Sequence, residues 1–152
     1  DDVVLAEMLW AGFKALFSVT AILGVMLALQ ISHSPKLLLA LPILLFAGIT
    51  FASMALVFNA KAKGYDFFTY YFAVLLSPMM FLSGVFFPRT QLPAFAQTIT
   101  DWLPLTAVVE LVRPLFLDQW PAHPWRHLAL LAVWAVAGFW LALAMTRQRF
   151  RR

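Results

Sequence analysis

The sequence predicts an all-α integral membrane fold, with four transmembrane helices and a re-entrant pair of short helices on the outer side before the last span. Three observations predict it. Hydrophobic residues make up 63% of the chain and charged residues only 12%, against roughly 45–50% and 25% in ordinary soluble domains. Four windows are mostly apolar over about 20 residues, the length a membrane helix needs. Between the third and fourth windows lies a stretch too apolar for a solvated loop and too interrupted for a span.

What the composition excludes comes next. No cysteine is present, so neither disulfides nor thiolate metal sites are possible. The 11 Lys and Arg outnumber the 7 Asp and Glu. They lie between and beyond the apolar runs, a placement that fits membrane orientation and not nucleic acid. The opening "DDVVLAEMLW" has neither Met nor a basic n-region, so the first apolar run is not a signal peptide, and the start reads as that of a fragment.

Residues 1–14 carry three acids and apolar residues at Val3, Val4, Leu5, Met8 and Leu9. This is the pattern of an amphipathic cytoplasmic helix meeting a partner, or of a helix start whose Asp residues suit the positive end of the dipole. Spans are expected over residues 9–29, 37–60, 67–87 and 128–146. Gly48, Ser53 and Gly138 are small residues of the kind that lets membrane helices approach closely.

Orientation follows from Lys and Arg near the span ends. One side collects Lys14, Lys61, Lys63 and the arginines of the tail "RQRFRR"; the other collects Lys36, Arg89, Arg113 and Arg126, offset by Asp101, Glu110 and Asp118. The first side is therefore expected to be cytoplasmic, with both chain ends inside. "YDFFTYYF", residues 65–72, then falls at the cytoplasmic interface as an aromatic anchoring belt.

"SPMMFLSGVFFPRTQLP", residues 77–93, breaks the third span with Ser77, Pro78, Gly84, Pro88 and Pro93. Proline removes a backbone donor and glycine permits a turn other residues resist. The third helix is therefore expected to end early and hand over to residues 88–126. There, Leu92, Phe95, Ile99, Trp102 and Leu103 recur at helical spacing, with Pro93 suited to a first turn. In "TAVVELVRPLFL", Thr106 is a candidate N-cap, and Pro114 is expected to end or kink the helix. Neither piece is long enough to span, which suggests a hairpin dipping into the outer leaflet. Glu110 and Arg113, three apart, could share a face and pair.

Positive signs of chemistry are few. His123 and His127 have the spacing of a zinc helix, but Pro124 intervenes and no Glu completes a metalloprotease motif; His33 is isolated. The scattered glycines form no phosphate loop, and the serines stand in no nucleophile elbow. The sequence thus offers no catalytic, cofactor or metal site.

The order "DVVLAEMLWAGFKA", "YDFFTYYFAVLLSPMMFLSGVFFPRTQLP" and "DWLPLTAVVELVRPLFL" resembles the membrane subunits of type-2 ABC exporters, and within them the nodulation protein J group, which exports lipo-oligosaccharides. The resemblance runs along essentially the whole chain. It implies the C-terminal part of a six-span permease, not an enzyme, whose substrate is moved outward by alternating access. The resemblance further implies a separate ABC ATPase subunit holding ATP and Mg, a second permease copy, membrane lipid around the spans, and the inner membrane. Residues 1–14 match the family's coupling region, so Val4, Leu5, Glu7 and Met8 are the implied ATPase contacts. Ser77, Pro78, Gly84, Pro88, Pro93, Glu110, Arg113 and Pro114 are the implied exit-gate or re-entrant residues. In one respect the chain departs from the group, which often carries His after "LPL" and a Ser or Thr; here Ala107 follows Thr106. Three alternatives stay open: a drug or small-lipid exporter of the same family, a membrane enzyme acting on lipid-linked sugars seeded by Asp101, Glu110 and Arg113, and a structural tetraspan adaptor.

Overall fold

A computed structural model describes residues 2–31, 34–61 and 66–150. Asp1, His33, Lys63, Tyr65, Arg151 and Arg152, all drawn on above from the sequence, lie outside the described residues. Helix α1 (Asp2–Ala28) runs unbroken through the expected coupling segment and first span. Ser34 caps a 3-10 turn (Pro35–Leu39) by accepting a hydrogen bond from the Lys36 N–H, and the turn feeds α2 (Ala40–Lys61). A third apolar helix follows as α3 (Asp66–Tyr70), a π-helical segment (Tyr71–Leu76) and α4 (Ser77–Leu82). Beyond it lie α5 (Ala94–Thr100), α6 (Pro104–Phe116) and α7 (Pro124–Phe150).

Among the described residues, three helical stretches are long and apolar enough to cross a membrane: Asp2–Ala28, Pro35–Lys61 and Pro124–Gln148. The third expected span is shorter than its hydropathy suggested. Its helix stops at Leu82 rather than at residue 87, leaving the 17 residues from Asp66 to Leu82, or about 26 Å against a hydrocarbon core of about 30 Å. The cause is local: Gly84 turns at φ +83°, and Pro88 adopts φ −58°, ψ 135°, outside the helix. The helix already loosens before that point. Pro78 lacks the N–H that would bond the Val74 carbonyl, the π segment ends just ahead of it, and Ser77 Oγ donates to the Phe72 carbonyl at 3.0 Å.

Helix α2 lies between α1 and α7 and packs closely on both. A Cβ on Gly48 would press on Ala15 Cβ, and one on Gly138 would overlap Ser53. Helix α6 packs across α2 and α7, burying Ala107, Leu111 and Leu115 against Ala40, Ala47 and Leu131. At the opposite end Val4 and Met8 of α1 are buried with Ala142 of α7, flanked by Leu56 and Val57 of α2.

The helices of the 88–126 region form where expected, with two corrections to α6. Phe95, Ile99 and Trp102 are exposed, while Ala96 and Thr100 are buried. Thr106 is not an N-cap. Helix α6 starts earlier, with Leu103 at the cap and Pro104 at the first position, where its missing N–H costs nothing. Pro114 does not end α6 at once; the helix continues to Phe116, with Pro114 in its last turn.

Candidate functional site

Two acids of the 88–126 region, Asp101 and Glu110, converge on Arg89. It stands in the 3-10 turn Arg89–Gln91, which lifts its side chain toward α5 and α6. Its guanidinium donates to the Asp101 carboxylate at the end of α5, to Glu110 Oε1 of α6 at 3.2 Å, and to the Gln97 carbonyl at 3.5 Å. One side chain thus pins the segment leaving α4 to both short helices. Burial works against the cation, but the two carboxylates outweigh it and hold Arg89 above the ordinary arginine value. A planar fork with five donors suits this triple engagement in a way a lysine would not. Arg89 Nε and Thr106 Oγ1 are buried and have no hydrogen-bond partner within the described residues.

Arg113, one turn along α6, donates instead to the Gly84 carbonyl. Glu110 and Arg113 therefore do not pair with each other; each ties α6 to a different point of the 83–91 segment. The φ of Gly84 makes this possible, because it turns the carbonyl at the end of the third apolar helix, and a Cβ there would also meet Arg89 Cγ at 3.1 Å. Ser77 and Pro78 sit a turn or more earlier, at the π-to-α change. Pro88 and Pro93 flank the 3-10 turn in extended conformation, and Gln97 Nε2 donates to the Leu92 carbonyl at 2.8 Å.

Three further bonds fix the region against the bundle. Trp134 of α7 donates its indole N–H to the Trp102 carbonyl at 2.9 Å, so the turn joining α5 and α6 lies ten residues, about 15 Å, along α7 from Pro124. Ser34 Oγ donates to Asp118 Oδ1 at 2.7 Å, and Lys36 Nζ donates to the Asp118 carbonyl at 2.7 Å. The Ser34 hydroxyl, then Lys36, hold the Asp118 carboxyl below the ordinary aspartate range. These contacts put residues 34–36 and 118–120 at one end of the bundle. Val4, Asn59, Ala60 and Thr146 share a hollow at the other.

The expected coupling set divides between two environments. Val4 and Met8 are turned inward and buried, whereas Leu5 and Glu7 are exposed. Ala107 is fully buried in the α2–α6–α7 core, so an imidazole at that position would need its neighbours to give way.

The arrangement suits mechanical restraint better than acid–base work. Both acids that could seed a catalytic cluster accept hydrogen bonds from one arginine, and Arg113 is drawn away to a carbonyl. Arg89, the hub, was legible in the sequence only as a charge near a span end. No helical or strand spacing links residue 89 to residues 101 and 110.

A family model described as "ABC-2 type transporter" matches residues 3–117. The chain is similar to the protein named "Nodulation protein J" in several rhizobia. It is 39% identical to the Sinorhizobium fredii relative, over 97% of this chain and 56% of the relative. It is 39% identical to the one from Rhizobium leguminosarum bv. viciae, over 99% and 58%, and 36% identical to that of Bradyrhizobium diazoefficiens, again over 99% and 58%. The chain thus spans just over half the length of these relatives. No solved structure matches it.

Proposed function

The chain belongs to the ABC-2 type transporter family, and on that premise we propose that it is the membrane-spanning and gating part of an ATP-driven export permease. It moves an amphipathic lipid-linked or glycolipid substrate, of the lipo-oligosaccharide kind, outward by alternating access. A separate ABC ATPase subunit binds ATP and Mg and supplies the work. A second permease copy completes the path, in the inner membrane with both ends of this chain cytoplasmic.

The observation that carries this reading is the family match over residues 3–117, which takes in every helix up to the end of α6. The geometry adds support. The α5–α6 turn lies about 15 Å along α7, and the α5 stripe of Phe95, Ile99 and Trp102 faces away from the protein. Both fit a hairpin re-entering the bilayer from outside and meeting lipid. In this reading the Arg89 and Arg113 contacts hold that hairpin to the broken end of the third apolar helix as a closed exit gate. The exposed start of α1, Leu5 and Glu7, receives the ATPase.

The test is reconstitution. The full-length subunit, assembled with its ATPase in proteoliposomes, should move a fluorescent lipo-oligosaccharide outward only with ATP and Mg. A drug-like amphiphile and a simple phospholipid serve as comparison substrates. Preference for either would shift the assignment within the family, and failure of any amphiphile to move with ATP would sink it. Topology is read separately. An impermeant thiol reagent on intact cells should label Gln91→Cys and spare Lys61→Cys, and the reverse pattern would overturn the orientation.

A further inference from the structure

We infer that the groove bounded by α2, α6, the start of α7 and the loop between α6 and α7 is a resident-lipid site. It takes one acyl chain of a bilayer phospholipid and places the phosphate at Lys36. The groove has a volume of about 460 Å³ and is lined by Pro42, Phe46, Leu111, Leu115, Trp125 and Leu128, with Trp120 at its rim. That volume lies in the range of small-molecule sites, about 300–1,000 Å³. Among the described residues no lining residue is charged, and the side-chain polar groups there are the two indole N–H groups. A polar ligand would lose its hydration there without replacement; a hydrocarbon chain loses nothing.

What covers the groove follows from its flanks and its rim. Helices α2 and α7 are two of the stretches able to cross a membrane, so a groove along them lies at bilayer depth in the proposed arrangement. Trp125 is 81% exposed and Trp120 69% exposed, as indoles are at a membrane interface. Above them Lys36 Nζ stands 5.5 Å from the Trp120 ring centroid. An ammonium group has three donors. Those of Lys36 meet the Asp118 carbonyl at 2.7 Å and the Asp118 carboxylate at 3.2 Å, which leaves one for a phosphate oxygen. From rim to floor the order is cation, indole and aliphatic wall, which is the order of phosphate, glycerol and acyl chain in a phospholipid.

The transported amphiphile is the less fitting occupant. On α6 the groove residues Leu111 and Leu115 point about 150° away from Glu110 and Arg113 at 100° per residue, so the helix itself separates the groove from the ionic contacts. Because lipid tails are as apolar as the groove wall, selection over bulk lipid rests on shape and on the Lys36 contact. The expected enrichment is therefore modest, about threefold to tenfold.

The test uses the full-length subunit in phosphatidylcholine nanodiscs containing a small fraction of phosphatidylglycerol with a photoactivatable diazirine in its acyl chain. Adducts mapped by mass spectrometry should favour the segments around Pro42 and Trp125 by about threefold or more over the exposed α1 face at Phe13 and Phe17. Ile43 also lines the groove, and Ile43→Trp, which fills it, should remove that preference. Lys36→Gln, an interfacial change that replaces no lining residue, should reduce it and serves where the filled variant does not assemble. Equal labelling of both faces would mean bulk lipid only and would overturn the site. So would preferential labelling there by a photoactivatable lipo-oligosaccharide, or protein–protein crosslinks from Trp125 in place of lipid adducts.

Discussion

Gly138 of α7 faces Ser53 of α2 so closely that a Cβ on Gly138 would overlap Ser53 Oγ and lie 3.0 Å from Ser53 Cβ. Both are buried, and Ser53 spends its own hydroxyl on the Thr50 carbonyl at 2.6 Å. This contact sets the approach of the two central spans. Gly138→Ala should therefore lower stability by about 1–3 kcal/mol through overpacking. Adding Ser53→Gly should restore at least half of the loss, because the two residues share one gap. Thermal unfolding in detergent of the single and double variants checks this. Additive losses would show that the gap is not shared.

Arg89 holds two carboxylates from different helices, so its removal should cost more than an ordinary surface charge. Arg89→Gln is expected to destabilise by about 1–3 kcal/mol by leaving Asp101 and Glu110 facing each other without a cation. Asp101→Asn together with Glu110→Gln should recover much of that loss in the Arg89→Gln background. The same denaturation measurement reads both. If Arg89→Gln leaves stability and export unchanged, the contact is ornamental and the gate role fails with it.

At the start of α1 the structure separates two effects that the sequence treated as one. Val4→Asp puts a charge among Met8, Ala142 and Leu56 and should reduce folded protein in the membrane. Leu5→Asp changes an exposed position, so folding should persist while coupling to the ATPase falls. Membrane abundance and ATP-dependent export, measured side by side, distinguish these. Normal export by Leu5→Asp together with Glu7→Lys would remove this segment from the coupling role.

The junction of Ser34, Lys36 and Asp118 should depend on pH. The Asp118 carboxyl is held below its ordinary range by Ser34 first and Lys36 second. A depressed carboxyl contributes stability above its unfolded pKa, about 3.9, and loses it as pH falls through the lower folded value. Amide exchange at residues 34–37 and 117–119 should therefore quicken below about pH 4. Asp118→Asn should abolish that acid response. Exchange that accelerates equally in the Asn variant would assign the response to other groups.

The sequence by itself determined the solvent of this protein, the two longest later spans, the break near Gly84 and the position of the short helices. Hydropathy, proline and glycine act locally, so apolar length marked the long helices, although it overran the third window, whose helix stops at Leu82. Small residues also reported correctly: Gly48, Ser53 and Gly138 lie where helices touch. Tertiary structure alone decided which face of each helix turns inward. In water an apolar stripe marks the core side, but lipid is as apolar as a core. Phe95, Ile99 and Trp102 could therefore face out while Ala96 and Thr100 face in, and Val4 and Leu5 could part company. Tertiary structure likewise decided that Glu110 takes Arg89, 21 residues away, over Arg113, three away. Helical spacing only permits a pair; the course of the chain through Gly84 and Pro88 brought a different cation within reach first.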